Sequence, residues 1–526
     1  MLMSRLYDFA MRSVPFITAI IAFLSVGMKA AVASDYLPND TLEYEGRMTA
    51  TAGRGDFAPF YISANRFGTI TSARNIFVKG KIEKKINKAN RFSYGFVAEL
   101  IGGASNGVEY ERYSARDEEW YTHKEYPGRF RIEQLYGEIK WRSVEVMLGM
   151  KEKGSSLLTH GLSSGDMTLS ANSRPIPQLS AGFVDFQDIP FTKGWLQIEG
   201  ELSYGKFTDA GWWKNHADYY SSKLASGTWF TYRRVYFRTK PDRMLTVTFG
   251  VQSSAQFGGK TEYYYRGKYV KTDNRGIKFA DFFKILFPPA AGKIEDFAIG
   301  NTLGSWDARF DLRLRNEEVV SAYFEWPWED GSGMAKRNGL DGLYGIEYRN
   351  GKKRGAISDI VVEYLDLTNQ SGPIHWAPGD HPGTGLTGQA TGADDYYNNA
   401  YYNSYANYGM GMGNAMVMSP LYNRDGYMAF IGNRMRGFHV GAEGWAGKEV
   451  KWKFLGSWRK AYGNGFIALL PPRSSFSFFG GASWSPERFK GWSACLGVGL
   501  DRGKLPGNAF GLEIGLTYKG KIGYGR

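Results

Sequence analysis

The stretch Arg131-Ile132-Glu133-Gln134-Leu135-Tyr136-Gly137-Glu138-Ile139-Lys140-Trp141 decides the fold. In an extended chain it puts Ile132, Tyr136 and Lys140 on one face, and Glu133, Leu135, Gly137, Ile139 and Trp141 on the other. Alternation with period two marks a strand with one wet and one dry side. The pattern recurs between Trp195 and Phe207, where Leu196, Ile198, Gly200, Leu202 and Tyr204 alternate with Gln197, Glu199, Glu201 and Ser203. It returns in Thr228–Thr239, and in Asp307–Arg315, where Ala308, Phe310, Leu312 and Leu314 alternate with Arg309, Asp311, Arg313 and Arg315. Further stretches lie near 41–50, 74–87, 91–103, 143–150, 243–252, 318–326, 340–349, 356–366, 425–436, 437–446, 449–460, 474–485, 491–500 and 509–519, making eighteen expected strands.

About ten residues at a rise of about 3.3 Å, tilted about 40°, span roughly 25 Å, the height of the apolar band of an outer-membrane barrel. Trp141, Trp229, Trp326, Trp328 and Trp484 fall at strand ends, where interfacial aromatic girdles are expected. A soluble sandwich also alternates, but its outer face would carry mainly Lys and Glu. Here the polar sides mix Arg with Glu and Asp, as a wet lumen does. The expected fold is therefore an all-β transmembrane barrel of about eighteen antiparallel strands with short helical plug or periplasmic elements.

Composition agrees. Of 526 residues, 16% are aromatic and 67 are glycine, which excludes wholesale disorder and suits a turn-rich β protein. The single cysteine, Cys495, permits no internal disulfide; it sits in an apolar run and is expected to pack. The net charge of +13 favours anionic partners, yet no run of five basic residues suggests a nucleic-acid arm. Arg5 and Arg12, the apolar stretch Val14–Met28 and the small-residue site Ala31-Val32-Ala33 predict a cleaved signal peptide over residues 1–33. Residues 34–526 then form a single barrel domain with long inserted loops near 104–129, 151–194, 253–305 and 367–424, in the outer membrane of a Gram-negative bacterium.

One expectation conflicts with another. Short turns and long loops should alternate around such a barrel, but 207–228, 253–305 and 367–424 fall at the wrong parity. Either a strand is missed between 151 and 228, or some inserts lie on the periplasmic side. The run Ile277–Phe287 reads as a short amphipathic helix, a plug or periplasmic element.

Several stretches resemble the Wzi family of outer-membrane capsule-assembly proteins, in its Bacteroidetes form. They are Ala58-Pro59-Phe60-Tyr61-Ile62-Ser63-Ala64-Asn65-Arg66-Phe67-Gly68, Ser170-Ala171-Asn172-Ser173-Arg174-Pro175-Ile176-Pro177-Gln178 with Ile189-Pro190-Phe191-Thr192, Glu329-Asp330-Gly331-Ser332-Gly333 with Asp341–Tyr348, and Asp395–Asn399 with Ser419-Pro420. The resemblance implies an eighteen-stranded barrel with a largely closed lumen, lectin-like binding of capsular polysaccharide and no catalysis. One departure is the ending Ile522-Gly523-Tyr524-Gly525-Arg526, where barrels often finish on an aromatic residue; Tyr518 or Tyr524 is the candidate.

Sugars are recognised by flat aromatic faces and planar polar groups, and acidic sugars add a demand for Arg or Lys. The stretch 394–424 supplies Tyr396, Tyr397, Asn398, Asn399 and Arg424 within a Gly-rich loop. Asn172 and Arg174, stiffened by Pro175 and Pro177, and Asn65 with Arg66 are further polysaccharide-binding candidates. The competing reading has all of these packing their own loops. Glu329-Asp330 is better read as a turn than as a glycosidase pair, whose carboxyls must stand about 5–9.5 Å apart across a bond. His375 and His381 flank Asp380 but lack metal-ligand spacing, and Gly409-Met410-Gly411-Met412-Gly413 lacks the Lys-Ser/Thr of a phosphate loop. No catalytic group, cofactor or metal is expected. The expected function is non-enzymatic binding and assembly of capsular or other surface polysaccharide, by a monomeric barrel in contact with outer-membrane lipid and lipopolysaccharide. The alternative is a porin for anionic solutes.

Overall fold

The computed structural model describes residues 41–127, 130–286, 300–329, 331–352, 354–373, 375–376, 390–392 and 394–523. The leader, Asp330, Asp380, His381 and Tyr524 lie outside these. The described chain forms a closed antiparallel barrel of eighteen strands. They are β1 (Thr41–Arg54), β2 (Asn75–Lys84), β3 (Phe92–Ser105), β4 (Phe130–Trp141), β5 (Val144–Met150), β6 (Gln178–Phe183, resumed at Gln187–Asp188), β7 (Leu196–Lys206), β8 (Trp229–Thr239) and β9 (Leu245–Phe257). The second half comprises β10 (Gly300–Arg313), β11 (Val319–Trp328), β12 (Gly342–Arg349), β13 (Asp359–Asp366), β14 (Arg434–Ala446), β15 (Val450–Gly463), β16 (Ala468–Trp484), β17 (Trp492–Gly503) and β18 (Ala509–Gly523). Each strand pairs with its successor, and β1 pairs with β18 from Thr41↔Gly523 to Arg54↔Phe510, so no edge is left open.

Two sequence expectations fail and compensate. Gln178–Phe183 is the strand missed between 151 and 228; it pairs with β5 and β7. The expected strand 425–436 is not one: β14 begins at Arg434, and Met428 and Phe430 before it are buried inside the molecule. With β6 in place, parity is restored. The connections 85–91, 142–143, 189–195, 240–244, 314–318, 350–358, 447–449 and 485–491 are at one end, and every long loop is at the other. Both chain ends enter the barrel at the short-turn end.

The wall shows why alternation works and where it slips. Leu135, Ile139 and Trp141 on β4, and Leu148 on β5, point outward and exposed, whereas Glu138 and Lys140 are buried inward. Ile132 also points outward, not to the side of Tyr136, because the pairing jumps from Glu99↔Gln134 to Leu100↔Ile132 and leaves Glu133 as an extra residue. Such a bulge shifts the alternation by one. Outward aromatics Tyr44, Phe92, Trp141, Trp484, Trp492 and Tyr518 ring the short-turn end, with Tyr44–Tyr518 and Trp492–Tyr518 in ring contact. Trp328 does not join a girdle: it is 1% exposed, over Gly304 and beneath the next loop. The helix expected at 277–287 shortens to Asp281–Lys284 and lies neither in the lumen nor at the short-turn end. Phe282 packs on the outward rings of Tyr204, Trp229 and Phe257, so the segment clasps the outside of the wall.

Loops from the long-loop end fill the lumen. The first carries the short helix α1 (Phe60–Ser63), whose four residues are all buried. Segments 154–176 and 394–433 pack beside it in one core that includes Ile62, Leu162, Met167, Tyr397, Tyr405, Met412, Met416 and Phe430. The wall is cut back to seat them. At Gly441 an added Cβ would stand 2.4 Å from the Leu162 carbonyl oxygen, and at Gly499 it would stand 2.9 Å from Pro59. Inward carboxylates then satisfy the loops' backbone N–H groups, which have no water to turn to. Asp501 accepts from Phe60 N (2.8 Å), Glu363 from Ser164 N (2.8 Å) and Glu325 from Met167 N (2.6 Å).

Candidate functional site

The structure brings most of the sequence-predicted site residues together, but in the plug. Tyr396 is 1% exposed; its hydroxyl donates to Asp341 (3.1 Å) and accepts from Asn338 (2.9 Å). Tyr397 donates to the Met167 carbonyl (2.6 Å) and stacks with Tyr405, 5.9 Å between ring centres. Asn398 bridges the backbone of Phe430 in both directions: its amide donates to the carbonyl (2.9 Å), its oxygen accepts from the N–H (2.8 Å). Asn399 caps the N–H of Tyr401 (2.7 Å). Asn172 donates to the Gly411 carbonyl (3.0 Å) and accepts from Asn65 N (3.2 Å), and Asn65 in turn donates to the Ser164 carbonyl (2.9 Å). These residues lock three loops into one body.

The arginines divide. Arg174 lies with its guanidinium 4.3 Å from the centre of the Tyr408 ring, and burial together with nearby Arg131 pulls its pKa down to about 9. Arg424, half-exposed at the long-loop end, pairs with Asp56. Arg66 reaches inward to Glu513 on β18 (2.6 Å). Glu329 accepts from Tyr397 N (2.5 Å), a turn-capping role. Among the described residues, no group of three or more His, Cys, Asp or Glu is placed to hold a metal ion.

An exposed aromatic surface lies elsewhere, on loop hairpins that the sequence reading left unassigned. Val108–Ser114 pairs with Glu119–Glu125, and Ser221–Ser226, Gly259–Tyr265 and Lys268–Arg275 form a three-stranded flap beside it. Between them the rings of Tyr113, Trp120, Tyr220 and Tyr265 form a cluster. Trp120 and Tyr220 lie 5.4 Å apart at 33°, Tyr113 meets both edge-on at 5.6 and 5.1 Å, and Tyr220 is 6.2 Å from Tyr265. Trp120 is 48% exposed and Tyr265 54%, so the cluster is braced from below and open above. Arg266 lies 5.6 Å from the Tyr265 ring centre, fully open to solvent. The available signal was Tyr263-Tyr264-Tyr265 and Trp120-Tyr121 in polar, alternating loop segments.

The hairpins are tethered to the plug through the buried Asp209, which precedes the helix Ala210–His216. It accepts from Trp213 Nε1 (2.7 Å) and Tyr408 N (3.1 Å), and burial raises its pKa to about 6.

No protein-family model and no curated protein matches the chain. Solved structures do. Wzi of Escherichia coli, an outer-membrane protein involved in group 1 capsule assembly and a carbohydrate-binding β-barrel, is similar over 95% of this chain and 87% of its own, with 12% identity and a TM-score of 0.53. OccAB2 of Acinetobacter baumannii and OccK8 of Pseudomonas aeruginosa match 93% of this chain and all of theirs at 8% identity, with TM-scores of 0.44 and 0.42. The likeness is one of fold. The fold is that of outer-membrane barrels, whose short turns as a rule face the periplasm and whose long loops face outward.

Proposed function

We propose that this protein is a non-enzymatic outer-membrane barrel that binds capsular or other surface polysaccharide at its long-loop end and helps hold it on the cell. The observation that carries the reading is the lumen filled by the protein's own loops, each hydrogen-bonded to the wall. A barrel so occupied offers its outer end, not a pore. The Trp120–Tyr220–Tyr265 cluster supplies braced ring faces there, and Arg266 with Arg424 supplies cations suited to acidic sugars. The similarity to a carbohydrate-binding barrel is consistent with it. The protein works as a monomer in this reading, with lipopolysaccharide around its apolar belt.

Two experiments test it. Deleting the protein while leaving polysaccharide synthesis intact should release polymer into the medium; a capsule that stays fully attached would sink the proposal. Purified protein in detergent should bind polysaccharide from its own cells saturably, and more weakly as salt rises. The channel alternative draws support from the charged lower lumen, and steady conductance in planar bilayers would favour it.

A further inference from the structure

Beneath the plug the lumen holds a cavity of about 500 Å³, within the range of about 300–1,000 Å³ usual for small-ligand sites. Its wall comes from β1, β2, β3, β15, β16, β17 and β18, and its roof from the tips of two plug loops. Lys451, Ser483 and Cys495 lie within four residues of strand ends at the short-turn side, so the cavity faces the periplasm. At the short-turn ends of the same strands, the exposed Lys85, Lys519 and Lys521 are paired with Glu43 and Glu45.

The lining is unevenly charged. Arg47, Arg66, Lys79, Lys451 and Lys453 face Glu152 and Glu513. Most of these cations are already spoken for. Arg66 and Arg47 share Glu513 at 2.6 and 3.8 Å, Lys79 pairs with Glu99, and Lys451 pairs with Glu443 at 2.6 Å. Lys453 is different. Its ammonium donates to the Gly161 carbonyl (3.1 Å), and among the described residues no carboxylate lies within 4 Å of it. An ammonium held inside a barrel without a carboxylate partner is costly unless an anion arrives to meet it.

The cavity is also built. Asn65 and Phe67 both sit in the left-handed region, at φ 54° and 53°, and for a bulky aromatic this is strained. Phe67 is held there by donating its N–H to the Ala171 carbonyl (2.7 Å) and by stacking on His160, 6.2 Å between ring centres. Across the cavity the Phe479 ring lies under the Arg66 guanidinium at 5.5 Å, in room left by Gly497, where a Cβ would stand 2.8 Å from the ring. Aromatic faces on two sides and a cation without a carboxylate partner suit a ring-shaped ligand bearing an oxyanion.

We infer that this cavity binds a small oxyanion-bearing ligand, a carboxylated or phosphorylated sugar, from the periplasmic side, with Lys453 as its principal counter-ion. This goes beyond the outer-surface reading and stands independently of it.

Cys495 is the only cysteine in the chain, and its side chain lines the cavity, so the native thiol is the probe. Detergent-solubilised full-length protein is treated with a small methanethiosulfonate, and the modification rate is followed with added glucuronate, inorganic phosphate, glucose or sodium chloride at matched ionic strength. The expected result is slowing by glucuronate or phosphate but not by glucose or chloride. Protection by glucuronate alone identifies the carboxylated sugar, and protection by phosphate identifies the phosphorylated ligand. Lys453→Met should weaken protection at least tenfold and Lys453→Arg should keep it, both variants retaining the heat-modifiable gel shift of a folded barrel. Protection equal to that of chloride, protection unchanged in Lys453→Met, or a thiol that reacts only after unfolding would each overturn the inference.

Discussion

Single side chains in this protein act by what they leave unpaired when removed. Arg309 on β10 donates to Glu347 (2.9 Å), Asp311 (2.7 Å), Ser321 (2.9 Å) and the Leu157 carbonyl of the plug (2.8 Å). Arg309→Met strands several of these partners in a dry interior. We expect a loss of ~3–5 kcal/mol in urea titrations of the barrel in lipid vesicles. Trp120 has the opposite character: half-exposed and braced by Tyr113 and Tyr220, it supports little of the fold. Trp120→Ala should weaken polysaccharide binding about tenfold with an unchanged urea midpoint, and equal binding would move the sugar site off the cluster. Glu152 gives a pH signature. Burial lifts its carboxyl to about 7, with Lys79, Lys81, Glu99 and Glu133 facing it from three strands. His160, in the same cavity, has its pKa lowered by burial and by Lys453. Below pH 7 Glu152 is protonated and the cavity more positive, so anion protection of Cys495 should be several-fold better at pH 6 than at pH 8. Glu152→Gln should flatten that dependence. A carboxyl with a raised folded pKa also costs stability as pH climbs from its ordinary value through 7, so Glu152→Gln should raise stability at pH 8 and not at pH 4.

At the scale of elements, the strands were legible because one face meets lipid and the other the polar groups of the lumen, a contrast that each strand writes into its own residues. Where that contrast is short or shared, reading fails. Gln178–Phe183 has six residues, and Ser180, Ala181 and Gly182 give it little amplitude. Residues 425–433 alternate convincingly, yet they do so inside the plug, where Met428 and Phe430 face other loops. Cys495 was expected to pack in its apolar run. It turns inward instead, because Leu496 and Val498 take the lipid face and leave their neighbours to the lumen. The Tyr/Asn segment had the composition of a sugar site, but its surroundings include wall strands far away in sequence, such as Ser254, 151 residues before the Tyr405 it bonds to (2.6 Å). No local pattern records that enclosure. The seating glycines offer a direct test of the plug as an element. Gly441→Val would push against the Leu162 carbonyl. We expect it to loosen the 154–176 loop and to turn a silent protein into a noisy conductor in planar bilayers, while the barrel still forms.

For the whole molecule, the decisive arrangement is polarity of the two ends. Among the described residues all long loops gather at one end, while β1 starts and β18 finishes at the other, and in outer-membrane barrels long loops as a rule face outward. Cells expressing the protein should therefore show a cysteine placed at Arg266 reacting with impermeant maleimide, while Cys495 reacts only after the outer membrane is breached. Labelling of both from outside would reverse the orientation.

The first loop has a consequence for how the chain comes to be folded at all. Its anchors are Asp501 and Glu513, which lie 441 and 447 residues further along than the Phe60 and Arg66 they hold. Neither partner exists on a nascent chain until almost everything else has been made. A segment made early must wait, unsettled, for two strands made late, and the strand that meets Arg66 also zips against β1 to shut the cylinder. Stoppering and sealing are thus one event, and a truncated chain lacking its final hairpin would be left both leaky and unsealed, recognisable to quality-control proteases by the loop it never stowed.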